Sequence, residues 1–164
     1  MYASSNLGRL AAREGRYSEA LAVFEEARAE YERLDIKPEV IETDARIAEC
    51  LALQGDAAGA LAAAERALEA AIAGGSAMAQ VPLLHRVRGW ALELQCVFQQ
   101  ARAAYDESLE AARQRNALFD IALALNAIAG LGTRTGNADE EARAEGEGLL
   151  RLLDVERVFE PRFP

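Results

Sequence analysis

The sequence predicts an all-α fold, a right-handed superhelical stack of four helix pairs and therefore eight helices. A block of small and apolar residues near the start of the chain returns in degraded form about every 40 residues, and the 164 residues divide into four such units. Within each unit, apolar residues recur at intervals of three and four, the period of an α-helix. Alanine is the most frequent residue and only 6 % of residues are aromatic, so the core must form by close approach of helices.

The apolar periodicity places the helices in order along the chain. The predicted pairs are residues 3–13 with 17–34, 39–53 with 57–73, 82–95 with 98–115, and 118–134 with 139–153. Pro82 either begins its helix or kinks a longer helix that starts at Ser76, and we prefer the first alternative. Asp139 is the expected N-cap of the last helix. The repeats are then residues 1–37, 38–75, 76–116 and 117–154, followed by an extended tail, residues 155–164.

The turns inside the four pairs are evenly spaced. Gly15, Gly55, Cys96 and Gly136 are separated by 40, 41 and 40 residues. A small residue follows each turn by five or six positions, where the two helices of a pair should cross: Ala20, Ala60, Ala101 and Ala142. Such regularity is typical of helix pairs that bury their apolar faces only by stacking on neighbouring copies.

This pattern resembles the tetratricopeptide repeat. The consensus of that repeat places Leu-Gly in the first helix, Gly and an aromatic residue at the turn, and then Ala, an aromatic residue and Ala along the second helix. The first unit matches through Leu7, Gly8, Gly15, Tyr17, Ala20, Phe24 and Ala27, and the third through Gly89, Phe98, Ala101 and Tyr105. The family's tryptophan in the first helix and its proline at the end of each repeat have no counterparts at the matching positions of this chain, and Trp90 lies elsewhere.

The 40-residue period is similar to the long variant found in the C-terminal sensor arrays of bacterial signalling ATPases, among them LuxR-type and adenylate-cyclase-linked regulators. The resemblance implies a non-catalytic module of a cytoplasmic bacterial regulatory protein, acting as sensor or scaffold. Its partner would be a protein, a peptide or ligand with an acidic group, or upstream domains of a larger regulator. The alternative is an architectural module that forms oligomers, such as homodimers, through its end repeats and its tail.

The first helices of such a stack line its concave inner face, and this selects the candidate binding residues. They are Tyr2, Asn6, Arg9, Arg46, Glu49, Arg86, Trp90 and Asn126. Guanidinium groups bind carboxylates through two parallel hydrogen bonds, and Trp90 offers a flat apolar anchor. A peptide with an acidic group and an apolar side chain would suit this set. Alternatively, Arg46 pairs with glutamates of its own helix and Trp90 fills the core.

Other functions are disfavoured. The net charge of −9 argues against a nucleic-acid partner, and no apolar run is long enough for a membrane span. His85 is the only histidine and has no nearby ligand in the sequence, so we expect no metal and no cofactor. No nucleophile, base or phosphate-binding loop indicates catalysis. Cys50 and Cys96 are expected to be reduced thiols.

Overall fold

The computed structural model describes the backbone of residues 2–164 and the side chains from Asn6 onward. Within this part of the chain there are eight α-helices and no strand. The helices are α1 Tyr2–Arg13, α2 Tyr17–Arg33, α3 Lys37–Gln54, α4 Ala57–Gly74, α5 Val81–Leu94, α6 Phe98–Gln114, α7 Leu118–Arg134 and α8 Glu140–Leu152. Each helix packs on the next, and α1, α3, α5 and α7 also contact one another in succession. The predicted all-α stack is confirmed, and its hand stays a prediction.

Residues with left-handed backbone end all eight helices. Their φ angles lie between 53° and 90° at Gly15, Asp35, Gly55, Gly75, Cys96, Asn116, Gly136 and Asp154. At seven of these ends, the next backbone N–H donates to the carbonyl five residues earlier, as from Arg16 to Ala11 and from Val97 to Leu92. This pattern satisfies carbonyl groups that would otherwise lack partners at the end of a helix. The chain therefore reverses about every 20 residues, and the helices are 12 to 18 residues long.

The two helices of a pair fit by complementary size. A Cβ atom on Gly89 of α5 would lie 2.2 Å from Cε1 of Tyr105 of α6, and one on Gly8 would lie 2.6 Å from Cε1 of Phe24. Both glycines precede their aromatic partner by 16 residues. At the same spacing, the second pair carries Ala48 and Ala64, and the fourth carries Gly130 and Gly146. At this position, the second helix of a pair thus carries an aromatic side chain only where the facing residue of the first helix is glycine.

The helix boundaries agree with the prediction to within a few residues. Before α5, residues Met78–Gln80 form a short 3-10 turn, and Pro82 lies in the first turn of α5 rather than inside a longer helix. The Asp139 side chain accepts a hydrogen bond from the backbone N–H of Ala142, which confirms it as the N-cap of α8. None of the helices in the described part of the chain has the length and apolarity needed to cross a bilayer.

Replacement of Gly89 by alanine tests the size complementarity. The added methyl group would press on the buried Tyr105 ring, so we expect Gly89→Ala to lower the free energy of unfolding by about 1–3 kcal/mol. Gly148 of α8 is the matched control, because a Cβ there meets no atom within 4 Å. Gly148→Ala should raise stability by roughly 0.5–1 kcal/mol through helix propensity alone.

Denaturant unfolding of both variants gives the comparison. Equal effects of the two substitutions would contradict the packing described for α5 and α6.

Candidate functional site

The face formed by α1, α3, α5 and α7, here called the inner face, contains a cavity of about 280 Å³. All four helices contribute to its wall. Among the residues that line it are five of the predicted binding residues: Arg9, Arg46, Glu49, Arg86 and Trp90. We call this space the arginine cavity, because Arg13 of α1 and Arg157 of the tail also line it.

Helical repetition brings these side chains together. Arg46 and Arg86 lie nine and ten residues before the turns at Gly55 and Cys96, so they stand at similar heights on successive first helices. Nη1 of Arg46 lies 3.1 Å from Oε2 of Glu49, one turn further along α3. Nη1 of Arg86 lies 3.5 Å from Oδ1 of Asp120, in the first turn of α7. Each arginine thus has one carboxylate partner, and the partner of Arg86 is at the limit of hydrogen-bond distance.

Two of the candidate residues, Arg86 and Trp90, are each only 3 % exposed. The expected exposure of Arg86 on an open face is wrong, whereas the burial of Trp90 agrees with the alternative that it fills the core. The guanidinium carbon of Arg86 lies 5.6 Å from the centroid of the Trp90 ring, within range of a cation–π contact. Burial lowers the pKa of Arg86, and burial together with the charge of Arg46 lowers that of Arg9. Arginine nevertheless stays charged at neutral pH, so the cavity wall is cationic.

The other three predicted residues lie outside this cavity. Asn126 of α7 donates from Nδ2 to Oε2 of Glu160, over 3.4 Å. Asn6 is exposed and does not line the cavity. The side chain of Tyr2 lies outside the described residues.

The tail, residues 155–164, is the main feature that the sequence did not locate. It is not helical, and Arg157, Val158 and Phe159 line the arginine cavity. The guanidinium carbon of Arg13 lies 5.1 Å from the Phe159 ring centroid, so the tail reaches α1 at the other end of the stack. The signal in the sequence was the apolar residues of the tail and its prolines, which cannot continue a helix.

Beyond Phe159 the tail follows α7. Glu160 is beside Asn126, and Phe163 packs on the hydrophobic core. The guanidinium carbon of Arg134, two turns after Asn126, lies 4.1 Å from the Phe163 ring centroid. Pro161, which lies between Glu160 and Phe163 in the sequence, is buried.

A buried carboxylate fixes the position of Arg134. Glu93 of α5 is 1 % exposed and accepts a hydrogen bond of 2.6 Å from the Tyr105 hydroxyl group. It also accepts a hydrogen bond from Nε of Arg134. The arginine therefore joins the core of the third pair to the aromatic end of the tail.

His85 and the two cysteines are the other chemically reactive side chains that the sequence singled out. Nδ1 of His85 lies 2.9 Å from Oε2 of Glu107, a partner on α6, and burial lowers the pKa of His85. Cys50 and Cys96 are both free thiols, and burial raises the pKa of Cys50 to about 11. No group of three or more His, Cys, Asp or Glu side chains suited to a metal ion occurs among the described residues.

Neither the models of known protein families nor the curated proteins give a match to this sequence. The arrangement on the inner face is therefore the basis for the function proposed below.

The tail should bind more firmly to the inner face as the pH falls. Burial raises the pKa of Glu160, which outweighs the opposing effect of Arg134. The docked tail consequently holds a proton more readily than the free tail does, so docking strengthens as the pH falls towards the usual carboxyl range. Amide hydrogen exchange of the tail, corrected for intrinsic rates, should show more protection at about pH 5 than at about pH 7.

The Glu160→Gln variant is the control for this effect, because it cannot titrate. Its tail should be protected to a similar degree at both pH values. Protection of the unaltered chain that increases with pH would contradict the assignment.

Proposed function

We propose that this chain is a non-catalytic interaction module that binds an extended peptide segment along its inner face. The observation that carries the proposal is that the tail of the chain itself lies there as an extended segment. It contacts helices at both ends of the stack, since Phe159 meets Arg13 of α1 and Phe163 meets Arg134 of α7. A face that receives one such segment has the shape and chemistry to receive another.

The contacts of the tail define the kind of segment that fits. The two phenylalanines each lie against a guanidinium group, the acidic residue accepts a hydrogen bond from Asn126, and the proline between them is buried. Proline favours an extended backbone and reduces the entropy that is lost on binding. A partner segment would therefore carry an aromatic residue followed directly by an acidic residue, with a second aromatic residue about three positions after the acidic one, as in Phe159, Glu160 and Phe163.

The wider setting is part of the same proposal. The 40-residue period and the match of the first and third units support a repeat of the tetratricopeptide type. On that resemblance, the module would be the sensor or scaffold part of a cytoplasmic bacterial regulatory protein. Its partner would be a peptide or protein with an acidic group, or another domain of the same regulator.

A second candidate function, self-association through the first pair, is favoured by a separate observation. Leu7 and Leu10 of α1 are 61 % and 51 % exposed, and α1 is the first described helix of the stack. Apolar side chains at the end of a repeat array are suited to packing against another repeat. In two copies related by a twofold axis, each copy would cover the exposed α1 residues of the other.

A peptide added in trans tests the main proposal. In the full chain with Phe159→Ser and Phe163→Ser, the tail should leave the inner face while the helices remain folded. A synthetic peptide of residues 155–164 should then bind this variant at least about tenfold more tightly than it binds the unaltered chain. The reason is that a tethered tail competes at an effective concentration of about a millimolar.

Isothermal titration calorimetry measures both affinities, and circular dichroism verifies the helix content. The peptide with the same two serines is the matched control and should not bind. If the natural and serine peptides bind the variant equally, or neither binds, the inner face does not recognise the segment.

Self-association has its own test. Leu7→Glu with Leu10→Glu should abolish a dimer in light scattering, because charged side chains cannot be buried unpaired in an apolar contact. Leu152→Glu on α8, which is also highly exposed, is the control and should leave the dimer intact. A monomeric unaltered chain would remove this candidate.

A further inference from the structure

The charge of the arginine cavity is opposite to that of the chain as a whole. Its wall contains five arginines and two carboxylates, a difference of +3, whereas the chain carries a net charge of −9. The arginines are Arg9, Arg13, Arg46, Arg86 and Arg157, and the carboxylates are Glu49 and Asp120. Like charges repel one another strongly inside a protein. Their collection at one place is explained if an anion stands between them.

Two of these guanidinium groups have unused hydrogen-bonding capacity. Nε of Arg46 and Nε of Arg86 are buried and form no hydrogen bond within the described structure. Arg86 is only 3 % exposed, and its single carboxylate contact is 3.5 Å long. Buried polar atoms are nearly always hydrogen-bonded, and each exception calls for an explanation. An acceptor inside the cavity would satisfy both groups.

The ion pairs on the wall leave other arginines available too. Within residues 6–164, Arg9 and Arg13 form no ion pair within 4 Å, and Arg13 instead contacts the Phe159 ring. Burial and, after it, the charges of Arg46 and Arg13 lower the pKa of Arg9, while Glu49 and Glu42 act in the opposite direction. An oxyanion near α1 and α3 would relieve this repulsion.

The rest of the wall is mostly apolar, with Gln80 as a polar exception. Leu83, Trp90, Phe119, Leu123 and Phe159 face the same space as the arginines. A hydrated inorganic ion would gain nothing from these side chains, whereas a ligand with an apolar body would bury it against them. The volume of about 280 Å³ lies at the lower end of small-molecule sites.

From this geometry we infer that the arginine cavity binds a small organic oxyanion, a carboxylate or a phosphate monoester that carries an apolar group. Arg46 and Arg86 donate hydrogen bonds to the oxyanion through Nε and the adjacent guanidinium nitrogens. Trp90 and the leucines hold the apolar group. The tail forms part of the wall, so the ligand binds while the tail is docked. The inference does not require that a peptide binds in trans.

The tryptophan provides a direct reporter. Trp90 is the only tryptophan in the chain and lies in the cavity wall, so its fluorescence should respond to an occupant. The full chain is titrated with cyclohexanecarboxylate and with cyclohexyl phosphate, neither of which absorbs at the excitation wavelength. Cyclohexanecarboxamide, which has the same apolar body without charge, and inorganic phosphate, which has the charge without the body, are the control ligands.

We expect a saturable change in fluorescence with one or both cyclohexyl anions and none with the amide. The stronger of the two anions identifies the oxyanion class. Arg46→Gln should weaken binding by roughly tenfold or more, because it removes charge-assisted hydrogen bonds. Arg66→Gln is the matched control, because Arg66 is exposed on α4 and is not part of the cavity wall, and it should bind like the unaltered chain.

A second variant keeps the test valid if Arg46→Gln lowers helix content. Arg9→Gln lies on α1 at the cavity wall, and it should also weaken binding. The inference is overturned if neither cyclohexyl anion gives a saturable change up to about 10 mM, well above the concentration at which a millimolar site saturates. It is equally overturned if the amide or inorganic phosphate binds as well as the anions, or if Arg66→Gln has the same effect as the cavity variants.

The outcome is independent of the peptide experiment. Anion binding without peptide binding would leave a small-molecule site and remove the proposed peptide partner. Peptide binding without anion binding would do the reverse.

Discussion

The left-handed residue at the end of each helix is the constraint on which the rest of the structure depends. It fixes where the chain reverses, and the positions from Gly15 to Gly136 follow one another at intervals of 20 or 21 residues. Evenly spaced turns place residues that are equally distant from them at the same height in successive pairs. Arg46 and Arg86, nine and ten residues before their turns, reach one cavity in this way, and Gly89 faces Tyr105 for the same reason. The regularity of the turns thus determines both the packing and the site.

Much of the fold could be predicted because its determinants are local and repeat. The turns at Gly15, Gly55 and Gly136 are glycines, which adopt left-handed backbone at little cost. The turns between the pairs were predicted mainly from the ends of the helical periodicity, because two of the three left-handed residues there are Asp35 and Asn116. Aspartate and asparagine tolerate this conformation but are common elsewhere. Their identity therefore carries less information than their spacing does.

The site could be predicted only in part. Helical spacing placed Arg9, Arg46 and Arg86 on one face, and all three line the cavity. The contribution of the tail to this cavity could not be predicted, because the tail has no periodicity from which to derive its path. The apolar composition of the tail indicated that it must be covered, but not by what. The partners of Glu93 were hidden similarly, since Tyr105 and Arg134 come from two different helices.

The contact between Phe159 and Arg13 affects how the array unfolds and how easily it bends. A row of repeats that touch only their neighbours unfolds from its ends, because the end units have the fewest contacts. Here the tail, which follows the last helix, lies against α1, the first helix. The two ends of the array are therefore in contact with each other, and neither is fully open. Bending the array straighter would break that contact. A ligand that displaces the tail would therefore make the array more flexible.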